Sequence, residues 1–218
     1  TVLNESNNDF VLNADAVGVR PVNGAVNANF TNNGINTQGF ITIGDNCTVN
    51  ATAANVELSA GGTTISRGIY AYLGLSIGEN AAVTATGGNI NPSESAETLD
   101  MGNYQYCYGV QAETGNITVN GGTLTATGGN IDFGDLTGTG NFGTALGQDS
   151  YGIYGDNITL NDGAITAKAG YSRSSVYASS SLSRGIFCGD LTVSGGTLTA
   201  TADDAWLESI GIRVLNSL

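Results

Sequence analysis

Short alternations of apolar and polar residues recur along the chain, and each group of them follows a pentapeptide with a central glycine. The pentapeptide reads NNGIN (32–36), SRGIY (66–70), CYGVQ (107–111), SYGIY (150–154), SRGIF (183–187) and SIGIR (209–213). Two further alternations follow it, as in NITVNGGTLTATGG at 116–129. Self-similarity of this kind is typical of repeat architectures. Each repeat is therefore predicted to hold three short strands separated by tight turns.

The apolar positions fall into columns when the repeats are aligned. The first strand contributes Ile35, Ile69, Val110, Ile153, Ile186 and Ile212. The third contributes Val49, Val83, Leu124, Ile165 and Leu198, each followed two residues later by Ala. Because successive side chains of a strand point to opposite faces, these columns are predicted to share one interior, with Thr, Ser and Asn outside. Gly and Asn at the turns supply residues that tolerate positive φ.

Three strands per repeat, with turns too short for a helix, exclude leucine-rich and βαβ layouts. Propeller blades need four antiparallel strands. The pattern therefore predicts an all-β fold, a single-stranded right-handed parallel β-helix (β-solenoid) of about six three-strand rungs with loop insertions at one corner. It is predicted to span residues 34–218, after an N-terminal cap or irregular lead-in at 1–33.

The cysteines stand in columns of small residues. Cys47, Cys107 and Cys188 align with Ala or Ser in the other repeats, and an odd number cannot all pair within the chain. They are interpreted as unpaired cysteines that serve as small buried side chains.

Charge narrows the range of partners. The formal net charge is −13, with six Lys and Arg residues and no His. Nucleic acid is excluded as a partner because little in the chain could neutralise phosphate. Catalysis by histidine is excluded outright. No apolar run reaches the length of a membrane span.

Four insertions between repeats are predicted to collect along one edge, at 87–105, 128–149, 169–182 and 201–208. Insertions on one face of a repeat protein often form its binding face. Aromatic rings beside carboxylates and amides suit sugars, because ring faces stack and polar groups bind hydroxyls. Alternatively, the rings cover the adjacent sheet and the acids simply face water. The candidate ligand-binding residues are Tyr104, Phe133, Phe142, Tyr171, Tyr177 and Trp206.

No cofactor is required, but calcium is left open by the acidic residues of these insertions. The candidate metal ligands are Asp132, Asp135, Asp149, Asp203 and Asp204. The segment DFGDLTGTGN (132–141) lacks the spacing of an EF-hand loop. Arg67 and Arg184 occupy one position of the pentapeptide and are interpreted as structural. A further alternative, ice binding, rests on the outward T-x-T pairs such as Thr125 and Thr127.

The units NITVNGGTLTATGGN and SYGIYGDNITLNDGAITAKAG resemble the right-handed β-helix repeats of secreted and surface proteins of gut and cellulolytic Firmicutes. Some of these are carbohydrate-binding domains within the pectate-lyase-like superfold. The resemblance covers roughly residues 34–214. It implies a secreted or cell-surface location, and one implied activity is calcium-dependent binding of acidic plant polysaccharide. No site residue is matched one by one.

We therefore expect a non-catalytic surface or secreted protein that binds extracellular polysaccharide or a host glycan, as an adhesin does, through the loops after the third strand. The alternatives are a polysaccharide-cleaving lyase or glycosidase, and a purely structural spacer. The segment IGIRVLNSL (210–218) begins a new repeat. An open strand edge is avoided in natural proteins, so further chain or a second copy is predicted to cover this end.

Overall fold

The structure, a computed structural model, describes residues 10–16, 29–58, 62–92, 104–133, 147–174 and 180–217. They form β-strands, and the strand pairings are all parallel. Among these residues no helix is long and apolar enough to cross a bilayer.

The strands fall into two sheets. The larger sheet contains β1 (Phe10–Asp15), β2 (Phe30–Thr37), β3 (Phe40–Ile43), β4 (Cys47–Thr52), β6 (Thr64–Ala71), β7 (Gly74–Ile77), β8 (Ala82–Thr86), β10 (Tyr104–Gln111), β11 (Asn116–Thr127), β13 (Gly147–Lys168), β15 (Ser181–Val193), β16 (Thr197–Thr201) and β17 (Glu208–Ser217). The smaller sheet contains β5 (Val56–Leu58), β9 (Ile90–Pro92), β12 (Ile131–Phe133) and β14 (Ser172–Ser174).

The predicted alignment of the repeats is confirmed by the strand register. Ile69 of β6 pairs with Ile35 of β2 and with Val110 of β10. The same column continues through Ile153 and Ile186 to Ile212. These pairs place equivalent apolar residues of successive repeats next to one another. Together the apolar columns form one hydrophobic core.

The predicted β-helix of three-strand rungs is wrong. Strand β11 runs through two of the predicted strands, and β13 runs through all three without a break. The sequence predicts a corner between two strands around Asn120. Instead the pairing of β11 with β13 continues there with a shift in register, as at a β-bulge. The outcome is one sheet of 13 strands. Eight of them follow the order β1-β4-β8-β11-β13-β10-β6-β2, a nearly closed, barrel-like path.

A fourth short strand follows the third apolar alternation in several repeats, and the sequence pattern did not predict it. Ile90 pairs with both Val56 and Ile131, and Ile131 pairs with Ser172. Parts of the predicted insertions at 87–105, 128–149 and 169–182 are therefore ordered sheet. Their strands cover a second apolar cluster that includes Cys107 and Phe133.

Local chemistry explains the turns and the cysteines. Gly121, Gly163 and Gly196 have φ between +79° and +109°, which confirms the need for glycine at these turns. All three cysteines are free and fully buried, as predicted. Burial raises the pKa of the Cys188 thiol to about 11, so this sulfur stays a protonated, small apolar group.

Candidate functional site

The pentapeptide strands carry two different faces. Their inward residues, such as Ile69, Val110 and Ile153, are fully buried in the core. Their outward residues lie on either side of the glycine–apolar pair of each pentapeptide and are mostly aromatic or charged. Because the strands pair in register, Arg67, Tyr108, Tyr151 and Arg184 lie in one row across the sheet. A second row holds Tyr70, Gln111, Tyr154 and Phe187.

The rings on this outer surface form one connected cluster. Tyr108 stacks on Tyr151 with ring centroids 5.2 Å apart, and Tyr154 stacks on Phe187 at 5.3 Å. The two stacks meet edge to face, with Tyr108 and Tyr154 at 5.8 Å. Neighbouring strands lie about 4.8 Å apart, so aromatic residues in register are brought to stacking distance. We call Tyr70, Tyr106, Tyr108, Tyr151, Tyr154 and Phe187 the aromatic face.

A pocket with a cavity volume of about 380 Å³ opens on the aromatic face. Tyr108 and Tyr151 are buried, whereas Tyr106, Tyr154 and Phe187 are half-buried and present ring surface to a ligand. The polar side chains are Arg67, Gln111, Glu113 and Asp149, and Ile65 completes the lining. The pocket therefore combines apolar ring surface with a few polar groups, as small-ligand sites do.

The tyrosine hydroxyls of the pocket stay protonated at neutral pH. Burial raises the pKa of Tyr106 to about 12, with Asp149 contributing. Burial also raises the pKa of Tyr108 and of Tyr151 well above the ordinary value. A protonated phenol both donates and accepts hydrogen bonds, so these groups can bind ligand hydroxyls.

Asp149 is a buried acid in the wall of the pocket. It is 7% exposed and accepts hydrogen bonds from the Ser180 hydroxyl at 2.9 Å and the Tyr151 hydroxyl at 3.2 Å. Burial raises the pKa of the Asp149 carboxyl, and these hydrogen bonds oppose that rise. Its orientation is thus set by two neighbours before any ligand binds.

Glu113 is the second acidic residue that lines the pocket. It is exposed and accepts a hydrogen bond from the Tyr70 hydroxyl at 2.6 Å. Burial of the phenol and this hydrogen bond raise the pKa of Tyr70 to about 12. The pocket lining therefore contains two carboxyl groups, those of Asp149 and Glu113, and one guanidinium, that of Arg67.

The two arginines have different partners. The Arg67 Nε donates to the Gln111 side-chain oxygen, and its Nη1 lies 3.4 Å from Asn33 Oδ1. Arg184 forms an ion pair with Glu208 at 2.5 Å, and Glu208 also binds Arg213 at 2.8 Å. The interpretation of both arginines as purely structural is therefore incomplete, because Arg67 lines the pocket.

The described aromatic residues that were predicted as ligand-binding lie in different environments. Tyr104 is 41% exposed and stacks on Tyr106 at 5.6 Å, beside the pocket. Phe133 is buried in the second cluster, Trp206 is 75% exposed, and Tyr171 donates to Asp132 at 2.9 Å. Phe142 and Tyr177 lie outside the described residues. Of the four candidates that the structure describes, only Tyr104 adjoins the pocket, so a binding site in the insertions stays a prediction.

The predicted metal ligands do not converge in the described part of the chain. Asp149 lies in the pocket and Asp132 accepts from Tyr171. Asp203 accepts the backbone N–H of Asp204 at 2.9 Å. In the described ranges no three Cys, Asp or Glu side chains are grouped as metal ligands. Asp135 lies outside these ranges, and calcium binding remains a prediction.

Most residues of the pocket were missed because they belong to the repeated pentapeptide. Repetition is typical of a scaffold, so the sequence predicts binding in the unrepeated segments instead. The signal lies at the outward positions of the pentapeptide strands, where Tyr, Phe, Arg and Gln replace the Thr and Asn of the other strands. A strand does not need large aromatic side chains on its solvent side, so such residues indicate a binding surface.

No family model, curated protein or solved structure matches the chain. The resemblance to the Firmicutes β-helix repeats therefore stays a prediction, since none of these comparisons identifies that family.

Proposed function

We propose that this protein is a non-catalytic carbohydrate-binding protein, secreted or displayed on a cell surface, and that the pocket on the aromatic face is its binding site. The observation that carries the proposal is the group of half-buried rings, Tyr106, Tyr154 and Phe187, around a cavity that also contains amide, guanidinium and carboxyl groups.

Ring surface and polar groups have separate tasks in such a site. The apolar C–H faces of a sugar ring pack against aromatic faces, which lose little conformational entropy because the rings already contact one another. Gln111 and the protonated tyrosines supply hydrogen bonds to sugar hydroxyls. The pocket is therefore largely formed before the ligand arrives.

The carboxyl groups of the pocket favour binding over glycoside cleavage. Glycosidases hold two carboxyl groups about 5–9.5 Å apart across the scissile bond. Asp149 accepts hydrogen bonds from the Ser180 and Tyr151 hydroxyls. Glu113 accepts one from the Tyr70 hydroxyl. Both carboxylates are therefore already engaged within the protein, which supports a role in shaping the pocket rather than in attack on a glycosidic bond.

The proposal is tested by binding on a glycan array, followed by affinity measurements with Tyr154→Ala and Tyr171→Ala. Both changes remove a half-buried tyrosine, but only Tyr154 lines the pocket. We expect Tyr154→Ala to weaken binding at least tenfold, because a stacked ring contributes about 1.5 kcal/mol or more. Tyr171→Ala should bind like the unmodified protein.

Loss of binding in Tyr171→Ala alone would move the site to the predicted insertions. A reducing-sugar assay on every glycan that binds is the second readout. Release of new reducing ends, or of unsaturated uronates, would contradict the non-catalytic assignment and support the polysaccharide-cleaving alternative. An array on which no glycan binds would contradict the proposed function itself.

A further inference from the structure

Arg67 and Arg184 occupy the same position of two copies of the pentapeptide. Each is 8% exposed and each lies in the row that contains Tyr108 and Tyr151. Both guanidinium groups also lie over rings, Arg67 at 4.3 Å from the Tyr70 centroid and Arg184 at 4.9 Å from the Phe187 centroid. They are therefore a matched pair in burial, in register and in aromatic contact.

The pair differs in counter-charge. Arg184 binds one carboxylate oxygen of Glu208, Oε1, through both Nε and Nη2, so its charge is paired with an anion. Among the described residues, Arg67 donates only to the neutral side-chain oxygens of Gln111 and Asn33. Within the described part of the chain, no carboxylate lies within ion-pair distance of Arg67.

A buried cation without a counter-charge is unfavourable, because burial removes the water that would otherwise stabilise it. Burial lowers the pKa of the Arg67 guanidinium, in keeping with this. The rings of Tyr70 and Tyr108, at 4.3 Å and 5.9 Å, offset part of the penalty. They supply no formal negative charge, so Arg67 retains the capacity to pair with an anion.

We propose that Arg67 binds an anionic group of the ligand, a carboxylate or a sulfate ester on a sugar, and so selects acidic over neutral glycans. This inference rests on the proposed function and concerns the same pocket. Arg67 faces the cavity directly, and its Nη2 forms no hydrogen bond to the described residues. A planar guanidinium held between rings is well suited to a two-point contact with either anion.

Glu113 should reduce this preference for acidic glycans. It lines the same pocket and is held by the Tyr70 hydroxyl, whose ring lies against Arg67. Its negative charge attracts Arg67 through space and opposes an incoming anion. Neutralising Glu113 should therefore strengthen the binding of an acidic glycan, whereas neutralising Arg67 should weaken it.

The test uses an array of glycans in matched pairs, each acidic glycan printed beside its neutral counterpart. The pairs include chondroitin hexasaccharide, the same hexasaccharide with sulfate esters, and its carboxyl methyl ester without sulfate. Chelator is present throughout, so that binding through calcium does not contribute. We expect binding of acidic members at least tenfold tighter than of their neutral counterparts. Comparison of the carboxylated and sulfated members distinguishes the two sources of the anion.

Three variants sharpen the test. Arg67→Gln should lose at least tenfold in affinity for the acidic glycan and less than twofold for a neutral one. Glu113→Gln should gain affinity for the acidic glycan only. Arg184→Gln, the matched control outside the pocket, should leave the preference for acid unchanged. If neutral glycans bind as tightly as acidic ones, this inference fails while the proposed function stands; if no glycan binds, both fail.

Thermal unfolding provides a readout that does not depend on a ligand. Arg184→Gln leaves Glu208 without its buried partner and should lower the melting temperature by several degrees. Arg67→Gln removes a cation that has no ion pair in the described residues, so its melting temperature should equal or exceed that of the unmodified protein. An equal loss of stability in both variants would show that Arg67 is already satisfied within the fold, which would overturn the inference.

Discussion

Two outer surfaces of this protein are built on the same inner scaffold and yet differ in what they carry. Strands β8, β11, β13 and β16 present exposed threonines in register, Thr84, Thr125, Thr166 and Thr199. We call this row the threonine face. Behind it lie fully buried apolar residues such as Leu124 and Ile165. The aromatic face has an equivalent interior, with Val110 and Ile153 at 0% exposure.

The difference between the threonine face and the aromatic face shows which residues the fold requires. Buried apolar columns lie behind both faces, so the fold accepts either threonine or a large aromatic ring at the outward positions. Threonine is an ordinary outward residue of strands, whereas the rings create a cavity lined by charged groups. Folding therefore does not require the aromatic and charged residues on one surface. A repeated motif can supply both the residues of the scaffold and those of a candidate binding site.

The largest effect is expected where the two faces are joined. A Cβ added to Gly109 would lie 2.6 Å from the Gly152 carbonyl oxygen and 2.5 Å from the Thr127 nitrogen. All its nearest neighbours are backbone atoms, which cannot move aside cheaply. Gly109→Ala should lower the free energy of unfolding by about 4 kcal/mol, measured by urea denaturation.

The control for this change is Gly39→Ala. A Cβ there would meet only the Thr37 hydroxyl at 3.4 Å, so the change should stay within about 0.5 kcal/mol. Equal stability of Gly109→Ala and the unmodified protein would mean that the two faces are not packed backbone to backbone at this glycine.

The next effect separates the two faces directly. Tyr108 is 6% exposed and contacts three other tyrosines, Tyr106, Tyr151 and Tyr154. Tyr108→Ala should cost about 3 kcal/mol of unfolding free energy, as for other buried aromatic residues, and should abolish glycan binding. Tyr108→Phe keeps the stacked ring and should recover most of the stability. If both variants are equally unstable, the hydroxyl rather than the stack holds the aromatic face together.

The inner columns were predictable from the sequence, but the course of the strands was not. The period of two placed Ile69, Val110 and Ile153 in one column, and their register confirms it. Whether a turn breaks the strand or continues it as a bulge depends on backbone hydrogen bonds near Asn120. The pattern of side chains carries no information about those backbone hydrogen bonds. The sequence therefore predicts three short strands where β13 is continuous.

The pocket was hidden by the same repetition that revealed the scaffold. Tyr151, Tyr154 and Phe187 belong to copies of the pentapeptide, and repetition by itself indicates a structural residue. Asp149 and Tyr104 are candidate residues in the sequence because both lie in the insertions, at 128–149 and 87–105. Their meeting at one pocket requires the pairing of β10 with β13, which brings together residues more than 40 positions apart in the sequence.

A smaller effect is expected from Asp149, and its sign depends on pH. The folded pKa is raised above the ordinary value of 3.8, mainly by burial. The folded state therefore holds its proton more tightly, and stability falls as pH rises from 3.8 through the folded pKa. Asp149→Asn should raise the melting temperature at pH 7, and the gain should disappear below about pH 3.8. A gain that is the same at every pH would show that the carboxyl charge is not its cause.

The smallest effect is expected on the threonine face, and it completes the comparison. Thr125 is exposed and its pairs in register are also threonines. Thr125→Ala should change the unfolding free energy by less than about 0.5 kcal/mol and leave glycan affinity unaltered, because no ring or charged group depends on it. Calorimetric titration beside Tyr154→Ala provides the measurement. A loss of binding in Thr125→Ala would place the ligand on the threonine face, and the aromatic face would then be a feature of stability alone.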